Sequence, residues 1–314
     1  MKLFVTGGAG FIGSNFIQLA LSLDKAYTVV NYDKLTYAGN LTNLNAVANN
    51  PNHKFIKGDI CDASATESAM LGCDAVVHFA AESHVDRGIS QPAVAVQTNV
   101  TGTLVLLQAA RNLKIQRFVQ ISSDEVYGDI PPGIFSDENS PLLPSSPYSA
   151  SKAAADLLVL AFCRTYAFPA LITRCSNNYG PHQFVEKFLP LMIVRALGDE
   201  PLPLYGDGLQ QRNWLHVEDH CHAILAVLQR GRLGHVYNIG GADVEDNLGM
   251  ARCLLKIIGK PESLISHVPD RPGHDRRYAL NSGKIMSELG WKPLIPLEEG
   301  LRQTVEWYRK MPLG

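Results

Sequence analysis

The chain has 314 residues, which is enough for one large core and a smaller second lobe. Its 28 Lys and Arg residues nearly balance its 30 Asp and Glu residues, and no run of like charges occurs, so we expect no nucleic-acid partner. We also expect a cytoplasmic enzyme with no membrane span, no disulfide and no metal site, because the sequence has no long apolar run, no evident signal peptide, and no metal-ligand or Cys-x-x-Cys spacing.

The first segment has the pattern of a strand, a glycine-rich turn and a helix. Residues 2–6 form a short apolar strand, three glycines follow at intervals of three, and residues 14–23 carry apolar side chains on one helical face. Glycines permit close approach of the backbone, and a helix N-terminus directs free N–H groups at a pyrophosphate. The pattern predicts a dinucleotide site at Gly7, Gly10, Phe11, Ile12 and Gly13.

An acidic residue follows the second predicted strand. That strand covers residues 28–32 and ends at Asp33, about 20 residues beyond the glycines. A carboxylate at this position can bond both ribose hydroxyls and would repel a 2′-phosphate. The sequence therefore favours NAD over NADP.

Strands and helices alternate through the first half of the chain. The predicted strands cover residues 54–60, 74–81, 117–122 and 170–174, and the predicted helices cover 98–112 and 149–166. Such alternation predicts an α/β fold with a doubly wound parallel Rossmann sheet, which binds ligands at the carboxyl ends of its strands. The rest is loop-rich, for example at 177–182 and 201–208, with a helix at 217–229 and a strand at 235–239. We expect an NAD-binding domain over 1–175, to which 212–240 returns, and a smaller substrate lobe mainly over 176–314.

Two segments in the middle of the chain carry candidate catalytic groups. Lys152 lies one helical turn beyond Tyr148, so the two side chains share a face. A nearby ammonium should lower the pKa of the phenol and allow Tyr148 to act as a base near neutral pH. Ser123, Asp124 and Glu125 offer a hydroxyl and two adjacent carboxylates, although an Asp–Glu pair is more often part of a solvated loop.

These motifs resemble those of the extended short-chain dehydrogenases/reductases, and most closely those of the dTDP-glucose 4,6-dehydratases. The matching stretches run nearly from end to end and cover residues 33–40, 80–87, 122–128, 148–152, 177–183 and 270–278. The resemblance implies a Rossmann fold with a small C-terminal lobe, tightly held NAD, and a homodimer. In that family the two long helices, here around 98–112 and 149–166, form a four-helix interface.

The resemblance also implies a reaction, the dehydration of dTDP-glucose to dTDP-4-keto-6-deoxyglucose. Tyr148 would take the C4 hydroxyl proton during oxidation by NAD, with Ser123 bonded to the same hydroxyl and Lys152 holding the nicotinamide ribose. Glu125 would then remove the C5 proton and Asp124 would protonate the leaving C6 hydroxyl. Hydride return to C6 completes a net loss of water.

Further residues are candidates for binding. At strand ends, Lys34, Asp59, Ile60 and Ala80 are expected to contact the cofactor. Residues that match substrate positions of the family are His84, Asn177, Arg212, Asn247, Arg271 and His274. The two arginines suit a diphosphate, although each could be a surface charge. For His274, a loop histidine with an ordinary hydrogen bond is an equally good interpretation, and Asn99 is expected to fix the helix behind the site.

The chain departs from the family pattern at several positions. Ser123 replaces a threonine, Gly88 a serine, Val185 a proline, Asp243-Val244 an Asn-Glu pair, and Asn281 an aspartate. Three alternatives stay open: a 4,6-dehydratase for UDP-glucose or another nucleotide sugar, a nucleotide-sugar 4-epimerase, and a non-catalytic NAD-sensing protein. The adjacent Asp and Glu argue against an epimerase, and the intact Tyr148 and Lys152 argue against a sensor.

Overall fold

The computed structural model describes residues 1–23 and 27–311. The strands are β1 (Lys2–Thr6), β2 (Thr28–Asp33), β3 (His53–Lys57), β4 (Ala75–His78), β5 (Arg117–Ser123), β6 (Ala170–Cys175), β7 (Asn177–Tyr179), β8 (Leu202–Tyr205), β9 (Gln211–His216), β10 (Val236–Ile239), β11 (Asp243–Asp246) and β12 (Ile265–Val268). The helices are α1 (Phe11–Ser22), α2 (Ala63–Met70), α3 (Val85–Ser90), α4 (Pro92–Val96), α5 (Thr103–Asn112), α6 (Pro147–Tyr166), α7 (Phe188–Leu197), α8 (Val217–Arg230), α9 (Asn247–Ile258), α10 (Gly283–Leu289) and α11 (Leu297–Arg309).

A seven-stranded parallel sheet forms the centre of the larger part of the molecule. Its strand order is β10-β6-β5-β4-β1-β2-β3, which confirms the predicted doubly wound sheet. Thr6 at the end of β1 pairs with Tyr32 on one side and His78 on the other. Strand order therefore reverses at β1, and this reversal opens a crevice at the carboxyl edge where ligands of such sheets bind.

Alternate residues of β1 serve the two faces of the sheet. Leu3 and Val5 belong to the apolar cluster shared with α1 and α8, whereas Phe4 belongs to the cluster shared with α5 and α6. All three side chains are fully buried. The nearly continuous apolar sequence of this strand follows from burial on both faces, because side chains alternate across a sheet.

One nearly continuous helical rod covers residues 92–112. It consists of α4, a π-helical turn at Gln97–Gly102, and α5. By length and composition alone this rod could cross a membrane. However, α5 packs on α2 and α6 against the sheet, and Leu106, Leu107 and Ala110 are fully buried there. Its apolar character is therefore that of a core helix.

The second lobe is built on two small sheets, β11-β9-β7 and β12-β8. Its core packs Trp214, Leu254 and Leu301 with side chains from α7, α9 and α11. The chain returns to the large sheet at β10, which pairs with β6. β9 lies within the range expected to return, yet it pairs with β7 and β11 in the lobe.

Several predicted boundaries differ from the structure. Helix α1 begins at Phe11 rather than at residue 14, since Gly10 already adopts the extended conformation of an N-cap. The predicted loops at 177–182 and 201–208 contain β7 and β8, two short strands with weak sequence signals. β8 tolerates Pro203 because it pairs on one side only, with β12.

Candidate active site

The glycine turn after β1 makes a cradle that no other residue type could form. Gly7 has φ +70°, and a Cβ there would lie 2.5 Å from the Ala80 backbone nitrogen. A Cβ at Gly13 would lie 2.3 Å from the Gly7 carbonyl oxygen. Helix α1 has no side-chain cap, so its first N–H groups remain available to an anion. These features fit the pyrophosphate of a dinucleotide.

Asp33 lies at the end of β2 beside this cradle. Its two carboxylate oxygens accept hydrogen bonds from the backbone N–H groups of Ala9 at 2.9 Å and Leu35 at 2.8 Å. Burial raises the pKa of Asp33, and the two backbone donors oppose that shift. Each oxygen keeps a second lone pair, so the carboxylate is oriented and can still accept from ribose hydroxyls. Nearby, Lys34 pairs with Asp59 at 2.7 Å.

A cleft of about 360 Å³ runs from this cradle along the carboxyl edge of the sheet toward the second lobe. It is lined by every predicted cofactor residue, by all five predicted catalytic residues, and by Asn177. The cleft therefore joins a dinucleotide cradle to a set of acid, base and hydroxyl groups in one continuous space.

Local structure fixes the catalytic groups at one end of the cleft. Ser123 ends β5, and its hydroxyl caps a short 3-10 turn over Asp124–Tyr127. A reciprocal capping box between Ser146 and Ser149 starts α6, which places Tyr148 in its first turn. Lys152, one turn later, donates to the Ile121 carbonyl oxygen of β5 at 2.6 Å.

Tyr148 does not have the lowered pKa expected from its sequence. Burial raises its pKa well above the ordinary value, and the negative charge of Glu125 adds to the effect. The Ser123 hydroxyl interacts with the phenol and opposes the shift. Burial also lowers the pKa of Lys152 itself. The lowered pKa expected for Tyr148 from the nearby ammonium is therefore not found in this arrangement, because both groups are desolvated.

The two adjacent carboxyls occupy different environments. Burial, followed by the charge of Glu125, raises the pKa of Asp124 to about 8. Ser123 Oγ donates to Asp124 Oδ1 at 3.2 Å, and Oδ2 has no hydrogen-bond partner among the described residues. Burial also raises the pKa of Glu125, but the charges of Arg271 and Arg212 lower it. Burial therefore raises the pKa of both carboxyls, and Arg212 opposes the shift at both, whereas the charge of Arg271 acts on Glu125. Adjacent carboxyls with different charged neighbours suit an acid role for Asp124 and a base role for Glu125.

The other predicted substrate residues lie outside the wall of the cleft. Arg212 is buried, stacks on Tyr278 at 4.3 Å, and donates through Nη2 to the Asp275 carbonyl oxygen at 2.9 Å. Arg271 lies 3.8 Å from Asp86, and its buried Nε has no partner within residues 1–23 and 27–311. Both guanidinium charges act on Glu125 across the entrance of the second lobe.

Three further predicted substrate residues, His84, His274 and Asn247, also lie outside the wall of the cleft. The His84 imidazole lies between the carboxylates of Asp86 at 4.0 Å and Glu186 at 3.9 Å. His274 Nδ1 lies 2.6 Å from Asp270, so it has the ordinary hydrogen bond that the sequence left possible. Asn247 is buried at the start of α9.

Sequence reasoning missed some cleft residues. Glu82, Ser83, Gln183, Phe184 and Lys187 all line the cleft. Lys187 Nζ donates to the Ser83 carbonyl oxygen at 2.5 Å, which ties the two halves of the molecule together. Only the resemblance of the surrounding stretches to the family could have pointed to these residues, since a lone lysine or glutamate belongs to no motif. Among the described residues, no group of His, Cys, Asp and Glu side chains is arranged to hold a metal ion.

Comparisons with known proteins agree with this geometry. The family model described as GDP-mannose 4,6 dehydratase matches residues 4–304. A dTDP-glucose 4,6-dehydratase from Streptomyces niveus is 50% identical, and the alignment covers 98% of this chain and 93% of that protein. The Escherichia coli dTDP-glucose 4,6-dehydratase is 48% identical over 98% of this chain and 92% of its own.

Solved structures give the same result. The dTDP-glucose 4,6-dehydratase from Streptomyces venezuelae, crystallised with NAD bound, superposes with a TM-score of 0.96 at 48% identity, covering 99% of this chain and 97% of that one. UDP-glucose 4-epimerase from Thermotoga maritima superposes at 0.92 with 30% identity and covers 99% of both chains. The fold is thus shared with epimerases, whereas the higher identity is to dehydratases. On this sequence and structural similarity, the chain belongs to the dTDP-glucose 4,6-dehydratase family of nucleotide-sugar dehydratases.

Proposed function

We propose that this enzyme is a lyase that converts dTDP-glucose to dTDP-4-keto-6-deoxyglucose with NAD as a retained cofactor. The observation that carries the proposal is the pair of unequal carboxyls, Asp124 and Glu125, beside Tyr148 in the cleft that contains the dinucleotide cradle. A simple dehydrogenase would not need this acid and base next to its phenol.

The residues around the glycine turn fit NAD. The N-terminus of α1 and the close backbone at Gly7 and Gly13 would hold the pyrophosphate, and Asp33 would hold the ribose hydroxyls. When bound, NAD supplies a hydride acceptor for C4, a hydride donor for C6 and, when oxidised, a positive charge that lowers the pKa of the Tyr148 phenol.

The protein's own groups would move the protons. Tyr148 takes the proton of the C4 hydroxyl, with Ser123 bonded to that hydroxyl and Lys152 held by the Ile121 carbonyl oxygen of β5, where it would bind the nicotinamide ribose. Glu125 removes the C5 proton, which the C4 ketone makes acidic. Asp124, protonated near neutral pH because of its burial, donates to the C6 hydroxyl as it leaves as water.

The second lobe would hold the nucleotide diphosphate. Arg271 supports this role because its buried Nε has no partner among the described residues, and guanidinium groups bind phosphate oxygens in pairs. Arg212 would contribute charge from its stacked position on Tyr278. Asn177, in the cleft wall, would contact the sugar. We assign His84, Asn247 and His274 to substrate binding from the resemblance to the family, although none of them lines the cleft.

We further propose a cytoplasmic homodimer. Two apolar side chains on α6, one of the helices expected to form its interface, are exposed in the single chain: Leu157 at 57% and Tyr166 at 47%. Sedimentation of wild type and Leu157→Glu tests this assignment. A dimer that persists in the variant would contradict it.

The function is tested with three substrates in parallel. The purified enzyme, without added NAD, is incubated separately with dTDP-glucose, UDP-glucose and GDP-mannose. The masses of the products are measured by mass spectrometry. We expect dTDP-glucose to give a product lighter by one water and UDP-glucose to react weakly, because the base adds only about 1–3 kcal/mol of discrimination. An epimer of unchanged mass, or a strict need for stoichiometric NAD, would contradict the dehydratase assignment.

A further inference from the structure

Tyr37 lies at a junction of three walls of the cleft. Its hydroxyl donates to Glu82 Oε1 at 2.6 Å, and the Arg87 guanidinium lies 3.9 Å from the centroid of its ring. The Tyr37 and Phe184 rings pack edge to face with their centroids 5.7 Å apart. The segments around these residues line the cleft at positions 36, 38 and 39, at 79–83, and at 183, 184 and 187. One side chain therefore links the segment around position 37 to the 79–83 and 183–187 segments of the cleft wall.

The partners of Tyr37 are themselves anchored. Asn99 holds the backbone of Glu82, accepting from its N–H at 2.8 Å and donating to its carbonyl at 3.0 Å. Arg87 makes a bidentate pair with Glu186, at 2.8 and 3.2 Å. A surface ion pair alone contributes little, but a guanidinium that is both bidentate and stacked on a ring holds a fixed orientation. Tyr37 thus contacts two residues, Glu82 and Arg87, that are each held in place by a further contact, with Asn99 and with Glu186 respectively.

The segment that carries Tyr37 is also tied to the dinucleotide cradle. Asp33 binds the N–H groups of Ala9 and Leu35, and the Asn40 N–H donates to the Ala9 carbonyl oxygen at 3.0 Å. Burial raises the pKa of Tyr37 to about 12, so its hydroxyl remains a donor over the whole working range of pH. Movement of this segment away from the cradle would break the Tyr37 contacts.

We propose that Tyr37 is a positioning residue that fastens the 33–40 segment across the cleft and so retains the dinucleotide between oxidation at C4 and reduction at C6. Its importance for turnover rests on the proposed function, since an enzyme that returns the same hydride must not release its reduced cofactor midway. The retention itself does not depend on which sugar is bound.

The test measures cofactor dissociation from the holoenzyme in the absence of sugar. The rate at which NADH leaves the loaded enzyme is followed by nicotinamide fluorescence for wild type, Tyr37→Phe and Tyr37→Leu. Tyr27→Phe is the matched control, because it removes one buried tyrosine hydroxyl whose bond is to Gln229, away from the cleft. We expect dissociation to be roughly tenfold faster in Tyr37→Phe, which loses a hydrogen bond to a carboxylate, faster still in Tyr37→Leu, and unchanged in the control.

A second measurement tests whether the contacts act as one unit. Arg87→Met alone should accelerate dissociation, but adding it to Tyr37→Leu should have little further effect, because the shared ring is already gone. Wild-type dissociation rates in Tyr37→Phe and Tyr37→Leu would overturn the proposal. If Tyr37→Leu does not fold, Tyr37→Phe decides, since it keeps the ring.

Turnover separates this inference from the proposed function. With dTDP-glucose, Tyr37→Leu should release NADH into solution and lose activity with time unless NAD is added. Failure of the wild type to convert dTDP-glucose would contradict the proposed function and leave the dissociation result standing.

Discussion

Replacing Asp124 with asparagine should separate elimination from oxidation. The amide keeps the size and neutrality of the protonated carboxyl but cannot donate an acidic proton to the leaving C6 hydroxyl. Loss of one general acid typically costs about 10²–10⁴ in rate, so steady-state turnover should fall by that factor. Oxidation at C4 depends on Tyr148 and should continue, so nicotinamide absorbance should show reduced cofactor accumulating in a single turnover.

The same substitution has a stability effect whose sign follows from the raised pKa. Because the pKa of Asp124 is about 8 in the folded protein, the folded form holds a proton that the unfolded chain releases near pH 4. Between those values the stability of the wild type relative to Asp124→Asn must fall as pH rises. Each pH unit is worth at most about 1.4 kcal/mol, so the difference in free energy of unfolding should change by about 2 kcal/mol between pH 6 and pH 8.

Urea denaturation of both proteins at several pH values measures that difference. Glu200→Gln is the matched control, because it makes the same acid-to-amide change at an exposed side chain instead of a buried one. Its stability difference from wild type should not change over this range. A pH-independent difference for Asp124→Asn, together with near-native turnover, would show that Asp124 is an ordinary ionised carboxylate and would refute its acid role.

The remaining predictions concern the base, the phenol, the cradle and the diphosphate. Glu125→Gln should abolish incorporation of solvent deuterium at C5, as followed by NMR, and continued exchange would exclude Glu125 as the base. Tyr148→Phe should prevent even transient reduction of the cofactor in single-turnover absorbance. Gly13→Ala should release NAD during gel filtration and destabilise the protein by about 1–3 kcal/mol, whereas Gly10→Ala should be milder, since its Cβ would meet the Gly7 carbonyl oxygen at 3.3 Å instead of 2.3 Å. Arg271→Lys should raise KM roughly tenfold, which corresponds to about 1.4 kcal/mol of binding free energy, and should change kcat little. A fall in kcat alone would show that Arg271 acts in a chemical step instead of in substrate binding.

The sequence by itself determined the alternation of strands and helices in the first half of the chain and the positions of the candidate cofactor and catalytic groups. Glycine spacing, strand periodicity and Asp33 are local signals, because a tight turn, a buried strand and a ribose contact each depend on neighbouring residues. The Tyr148–Lys152 spacing likewise follows from one helical turn. These predictions needed no knowledge of which residues meet across the fold.

Tertiary structure alone decided the electrostatics and the links between lobes. The pKa of Asp124 reaches about 8, and that of Tyr148 rises instead of falling, because burial depends on elements far apart in the chain. The short strands β7 and β8 exist through their pairing partners more than through their own propensity. The contacts of Tyr37 with Glu82, Arg87 and Phe184 join residues from separate segments, and no periodicity in the sequence brings such residues together.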